Sequence, residues 1–179
     1  MKQILVVVDM QKDFVDGALG SQEAVAIVPA VAGKIRAFNG DIFVTLDTHF
    51  ENYMDSAEGK KLPVPHCIKG TPGWALNAEV ASALAEKPHT PVEKLTFGSV
   101  DLPELIRKAV GEERFSIELI GLCTDICVVS NALLLKASFP EAPIAVDAAC
   151  CAGVTPAGHE AALATMRSCQ IDVLNQEVQ

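Results

Sequence analysis

Residues 4–8, Ile-Leu-Val-Val-Val, form an unbroken apolar run that stops at an aspartate, Asp9. A strand with one wet face alternates apolar and polar residues. A continuous apolar run of this length, rich in β-branched residues, marks a strand covered on both faces, as the inner strands of a parallel sheet are. The pattern recurs: Ile42–Leu46, Pro91–Glu93, Ile117–Leu122, Ile144–Val146 and Ile171–Leu174 read as further short strands. Longer Ala/Leu-rich stretches lie between them. Helices are expected over Ala30–Phe38, opened by Pro29 and closed by Gly40, and over Asn77–Glu86, Leu102–Val110 and Val128–Phe139. Thr155-Pro156 reads as an N-cap followed by proline in the first turn of a helix reaching about Cys169. Six strands alternating with helices predict an α/β protein with a mainly parallel sheet. No repeat or linker interrupts 1–179, so a single domain is expected.

Charge and composition remove whole classes of function. Lys and Arg total 14 against 23 Asp and Glu, a net charge of −9, so no basic stripe exists to neutralise phosphates. Aromatic residues are only 5% of the chain, which disfavours a stacking platform for single strands. No apolar run approaches the ~20 residues of a membrane span, and Met1-Lys2-Gln3 does not begin a secretory signal. The expectation is a cytoplasmic chain without nucleic-acid or membrane partners. Its six cysteines then read as reduced thiols.

Chemistry-bearing residues gather at the carboxyl ends of the expected strands, where ligands of open α/β sheets bind. Asp9, Asp47, Glu93-Lys94 and the Gly121–Cys127 segment all fall there, and His49–Gly73 is a long connection without regular periodicity. Cys127 sits where a strand turns into an apolar helix, a place that favours a thiolate and offers free N–H groups to an oxyanion. Taken alone, it reads first as a buried structural cysteine, which is what free cysteines mostly are. Asp9 is either a turn cap or a pocketed base with a raised pKa. Lys94 by itself reads as a surface lysine. Asp47-x-His49 with His66 supplies one carboxylate and two imidazoles, leaving open positions as a catalytic Zn²⁺ or Fe²⁺ site does. The bland reading is a loop aspartate near two surface histidines. Cys67 is set aside, because adjacent residues seldom point at one ion.

Four ordered segments then carry a resemblance. Val6-Val7-Val8-Asp9-Met10-Gln11-Lys12-Asp13-Phe14, Pro65-His66-Cys67-x-x-Gly70-Thr71-Pro72-Gly73, Lys94-x-x-Phe97-x-Ser99 and Gly121-Leu122-Cys123-Thr124-Asp125-Ile126-Cys127-Val128 resemble the signatures of isochorismatase-like cysteine hydrolases. The resemblance covers residue 4 to about 175. It implies a three-layer α/β/α sandwich around a six-stranded sheet, and a catalytic Asp–Lys–Cys triad falling on Asp9, Lys94 and Cys127. Asp47, His49 and His66 match the metal ligands of the nicotinamidase branch, which implies a divalent metal: Zn²⁺, with Fe²⁺ or Mn²⁺ as alternatives. Also implied are an oxyanion hole from the backbone N–H groups of Cys123 and Cys127, a cis Leu122–Cys123 peptide, and a homo-oligomer.

The substrate pocket expected from this resemblance is lined by Phe14, Leu19, Val64, Trp74, Leu122 and Ile126. Val64 and Ile126 stand where nicotinamidases often carry aromatic rings. The activity implied is cleavage of a small amide, nicotinamide first, through a thioester on Cys127. Two alternatives stay open: an isochorismatase-type or other small-amide or ureide hydrolase, and a non-catalytic binding protein that retains the fold.

Overall fold

The computed structural model describes residues 1–176. The chain runs β1 (Lys2–Val8), α1 (Lys12–Val15), α2 (Gln22–Ala37), β2 (Asp41–Asp47), a 3-10 turn (Tyr53–Asp55), α3 (Ala57–Lys61), α4 (Ala78–Ala85) and β3 (Thr90–Lys94). It continues through α5 (Leu102–Val110), β4 (Phe115–Leu122), a π-helical turn (Thr124–Val128), α6 (Val129–Ser138), β5 (Ile144–Ala152), α7 (Pro156–Ser168) and β6 (Asp172–Leu174). The six strands form one sheet in the order β3-β2-β1-β4-β5-β6, every pair parallel. The chain therefore winds outward from β1 in one direction and from β4 in the other. The switch point between β1 and β4 is where such sheets open a crevice.

Each face of the sheet has its own core. Ile4, Val6 and Val8 join Leu119, Val128, Leu135 and Leu163 beneath α5, α6 and α7. Leu5 and Val7 join Val28, Val31, Ile35, Val80 and Leu84 beneath α2 and α4. Consecutive residues of β1 thus enter opposite cores, which is why the run has to be apolar throughout. No helix among the described residues is long and apolar enough to cross a membrane.

Three elements differ from the expectation. Pro29 lies inside α2 rather than at its start. Ser21 caps the helix by accepting from the Ala24 N–H at 3.0 Å, and the stripe Ala24, Val28, Val31, Ala32, Ile35 buries one face along its length. That burial outweighs the ~3 kcal/mol an interior proline costs. The long connection after β2 is ordered by the 3-10 turn and α3, which is capped by Ser56 Oγ accepting from Gly59 N–H at 2.9 Å. β5 runs six residues past Val146, with an irregular register against β4 between Leu119 and Gly121.

Candidate active site

Two residues at the end of β1 and β4 bring the site together. Gly121 has φ +116°, and a Cβ there would stand 2.1 Å from the Val8 carbonyl oxygen, so β4 approaches β1 at a distance only glycine allows. Directly after Val8, Asp9 adopts φ +48°, a left-handed conformation that aspartate tolerates better than most residues. The turn aims its carboxylate along the strand ends. Oδ1 accepts the Thr45 hydroxyl at 2.6 Å, and Oδ2 lies 2.7 Å from Lys94 Nζ without an aligned hydrogen bond.

Lys94 ends β3, on the sheet edge, and its stem reaches across the ends of β2 and β1. Its ammonium touches Asp9 Oδ2 at 2.7 Å, Asp47 Oδ1 at 3.0 Å and Cys127 Sγ at 3.5 Å. Asp9, Lys94 and Cys127 are 0, 3 and 4% exposed. The three residues that arise 33 to 118 positions apart in the chain therefore share one dry volume, where charge interactions are strong. Burial pushes the Asp9 carboxyl up, more than Lys94 pulls it down, and Asp47 adds to the rise. Burial opposes charge on Lys94 as well, but Asp9, the Cys127 thiolate and Asp47 together hold it protonated beyond the ordinary lysine range.

Cys127 occupies the π-helical turn ahead of α6, not the first turn of a regular helix. The amides on either side of it, Ile126 and Val128, both donate to the Cys123 carbonyl at 3.1 Å. The Leu122–Cys123 peptide is cis. The expectation that the helix end favours the thiolate meets a stronger effect: burial, then the Asp9 charge, push the thiol well above its ordinary value, with Lys94 as the opposing influence. Cys127 is therefore held toward its thiol form, beside a carboxyl whose own proton affinity burial has raised. Burial likewise pushes the Cys123 thiol up to about 12 and the Cys67 thiol higher still.

Asp47 joins this cluster to a second one. Its Oδ1 faces Lys94, and its Oδ2 lies 3.0 Å from His49 Nε2 and 3.6 Å from His66 Nε2. Asp47, His49 and His66 are buried and offer ligand atoms all within 4.8 Å of one another. A parallel bridge between His49 and Ile68 docks the two histidines side by side: His49 N–H donates to Cys67 O and Lys69 N–H to His49 O, both at 2.9 Å. His66 Nδ1 donates to the Val64 carbonyl at 2.8 Å, which leaves Nε2 as the ring atom that faces Asp47. A carboxylate and imidazole nitrogens converging in this way, with one ring fixed by its other nitrogen, fit a divalent metal. Burial raises Asp47, but the His49 and His66 contacts and Lys94 hold it below the usual carboxylate range.

Several further residues of this region have places that the sequence does not assign. Glu58, from α3, places Oε1 3.7 Å from His49 Nε2 and 3.6 Å from His66 Nε2. Tyr53 sets its ring edge-on to both histidines, at 4.7 and 5.1 Å, and donates its hydroxyl to Leu62 O. Gln11 is fully buried; its amide donates to Asp47 O and Trp74 O and accepts from Asp47 N–H. A loop glutamate, tyrosine or glutamine is too common a residue to be singled out without the fold.

The residues expected to line a pocket are placed unevenly. Phe14 tilts against His66 with ring centroids 5.4 Å apart, and Leu19 packs at the margin of the same core. Val64 and Ile126 are half-buried, Ile126 against the opposite core. Leu122 is wholly inside the core beneath α2 and α4, because the last residue of an inner strand is covered on both faces. Trp74 donates its indole N–H to Thr48 Oγ1 at 3.0 Å, so it braces the residue between Asp47 and His49.

Comparison with known proteins follows the same outline. The family model for the isochorismatase domain matches residues 3–178. The isochorismatase family protein PncA of Bacillus subtilis (strain 168) is 33% identical over 147 residues, 74% of this chain and 78% of that protein. The crystal structure of nicotinamidase/pyrazinamidase PncA from Bacillus subtilis superimposes with a TM-score of 0.86 at 26% identity, covering 98% of this chain and 100% of that one. The pyrazinamidase of Pyrococcus horikoshii in complex with zinc does so at 0.78 and 25% identity, over 98% and 100% of the two chains. A family match running almost end to end, over a sheet of the same winding, makes this chain a member of the isochorismatase family.

Proposed function

We propose that the protein is a cysteine amidohydrolase of the nicotinamidase/pyrazinamidase type, which converts a small amide, nicotinamide first, to its acid and ammonia. The observation that carries this reading is the buried Asp9 Oδ2, without an aligned hydrogen bond, beside the one ammonium that also touches Cys127 Sγ. A carboxylate with a raised pKa next to a thiol is a proton acceptor matched to its donor. In the proposed reaction the Cys127 S–H proton passes to Asp9 as Sγ bonds to the amide carbon. Backbone N–H groups of Cys123 and Cys127 hold the oxyanion, a role whose loss typically costs ~3–4 kcal/mol. As the C–N bond breaks, Asp9 returns the proton to nitrogen and ammonia leaves. Water then adds to the thioester, gives its proton to Asp9, and the acid departs as that proton returns to Sγ. Lys94 stays protonated and balances the changing charge.

Asp47, His49 and His66 would hold a divalent ion, with zinc favoured by the Pyrococcus relative and Glu58 close enough to assist. Such an ion supplies a Lewis-acid contact for a ring nitrogen or other lone pair of the substrate. Val64 and Ile126 favour a second reading of the substrate, a smaller aliphatic amide. Two missing stacking partners remove roughly 1–3 kcal/mol of ring recognition at ~0.5–1.5 kcal/mol per pair.

Ammonia release from nicotinamide, pyrazinamide, benzamide and an aliphatic amide, with elemental analysis of the same preparation, tests both readings. Nicotinamide turnover above that of benzamide is expected, because only nicotinamide offers a ring nitrogen. Turnover of none of the four would overturn the amidase reading, and preference for the aliphatic amide would establish the second.

A further inference from the structure

We propose that Asn131 is a positioning residue for this site: it sets the spacing between the Lys94 ammonium and the Cys127 thiol by tying the loop after β3 to the turn that carries the nucleophile. The need for such a tie follows from topology. β3 is the edge strand, and β2 and β1 stand between it and β4. At ~4.8 Å per strand the two backbones are ~14 Å apart, so no ladder hydrogen bond relates Lys94 to Cys127. Lysine itself is a flexible four-carbon stem with a point charge, and it does not fix its own reach.

Asn131 lies one turn beyond Cys127 on α6 and is fully buried. Its Nδ2 donates to the Cys127 carbonyl at 2.8 Å and to the Phe97 carbonyl at 3.3 Å. Its Oδ1 accepts from the Ser99 N–H at 2.9 Å. Three bonds of this pattern determine the amide's orientation, since a flipped amide would oppose oxygen to two carbonyls and N–H to N–H. Phe97 and Ser99 lie three and five residues after Lys94. Ser99 Oγ in turn accepts from Leu102 N–H at 3.3 Å at the start of α5, which anchors the loop from its far side. Gly98 completes the contact: a Cβ there would stand 3.2 Å from the Ser130 carbonyl, so loop and helix meet without a side chain between them.

A satisfied core amide with no bearing on the site would look similar in its hydrogen bonds, and the two roles part on the reactivity of Cys127. Asn131→Ala and Gly98→Ala are compared with wild type and with Ile35→Ala, a core truncation on the opposite face of the sheet. For each, the rate of Cys127 alkylation by iodoacetamide is followed across pH, with modified cysteines located by mass spectrometry. We expect Asn131→Ala to move the inflection up by about one pH unit and slow neutral-pH alkylation about tenfold, because the thiolate loses its nearest cation. Gly98→Ala wedges the same contact from the other side and shifts the profile in the same direction. Ile35→Ala lowers the urea midpoint and leaves the profile in place. Turnover of nicotinamide rests on the amidase reading; if it occurs, kcat falls with the alkylation rate while KM stays within about twofold. A wild-type alkylation profile in both Asn131→Ala and Gly98→Ala overturns the proposal, as does an equal shift in Ile35→Ala. If no amide is hydrolysed by wild type, the alkylation comparison still decides it.

Discussion

Replacing Asp9 by asparagine should drive thiol reactivity and hydrolysis in opposite directions. The two side chains are isosteric, asparagine adopts the left-handed backbone at φ +48° readily, and its carbonyl oxygen can keep the Thr45 hydroxyl. What disappears is one negative charge and the proton acceptor. At present two buried carboxylates share the Lys94 ammonium, and the Asp9 charge is among the influences holding the Cys127 thiol up. A carboxylate ~4 Å from a thiolate repels it by ~4 kcal/mol at an effective dielectric constant near 20. That corresponds to about three pH units on the thiol. With Asp9 neutral, Lys94 is the dominant neighbour, so iodoacetamide should modify Cys127 at an inflection about one to three pH units lower. Ammonia release should nevertheless fall ~10²–10⁴-fold, the usual worth of a positioned acid and base. Stability should move the other way from activity. The folded carboxyl of Asp9 is raised above its unfolded value of ~3.9, so wild type loses stability as pH rises from there through the folded value, and the asparagine variant does not. Alkylation, ammonia release and urea midpoints on one preparation settle the matter. If alkylation slows in parallel with hydrolysis, Asp9 sustains the thiolate rather than shuttling a proton, and the reasoning fails.

Cys127→Ser should fold with a near-native urea midpoint, since Cys127 is core-packed and serine nearly fills its volume, yet lose acyl-enzyme formation by intact-mass analysis of a quenched turnover. His66→Ala should empty the metal group as read by elemental analysis, whereas Glu58→Gln should weaken metal affinity about ten- to hundred-fold and leave Cys127 alkylation unchanged. Lys94→Met leaves Asp9 and Asp47 facing each other and should cost about 3–5 kcal/mol at neutral pH. That deficit should shrink on acidification, because the raised Asp9 carboxyl takes up a proton first; urea midpoints at about pH 5 and 8 that show the same deficit would contradict this. Ile126→Tyr should raise kcat/KM for nicotinamide about two- to twelve-fold over the aliphatic amide if a ring at that position stacks on a pyridine.

The sheet was legible because burial on two faces leaves a local trace. Ile4–Val8 has to be apolar at every position when alternate residues enter different cores, and Leu102–Val110 matches its expected bounds residue for residue. Turn chemistry at Thr155-Pro156 was equally local: the Thr155 hydroxyl caps α7 as its sequence suggests. Asp9, Lys94, Cys127, Asp47, His49 and His66 were legible through the resemblance that the four ordered segments carry, whereas Lys94 or Cys127 read singly has an ordinary structural explanation.

What no local signal could supply was decided by tertiary structure. Pro29 reads as the start of a helix in the sequence, and the burial of Val28, Val31 and Ile35 against the sheet lets α2 begin at Gln22 and run through it. The protonation of the site follows from how deeply it is enclosed: the same cysteine that a helix end would ionise is held as a thiol by burial and by Asp9. Asp47 bridges the Lys94 cluster and the histidines through its two oxygens, a fact of orientation that spacing along the chain does not contain. Glu58, Tyr53, Gln11 and Asn131 acquire their places only when α3, β1 and α6 are docked, since their partners lie elsewhere in the chain or across the sheet. Sequence therefore determined which chemistry the strand ends carry. The fold decided its distances and its charge state, because both depend on what surrounds a side chain and not on what precedes it.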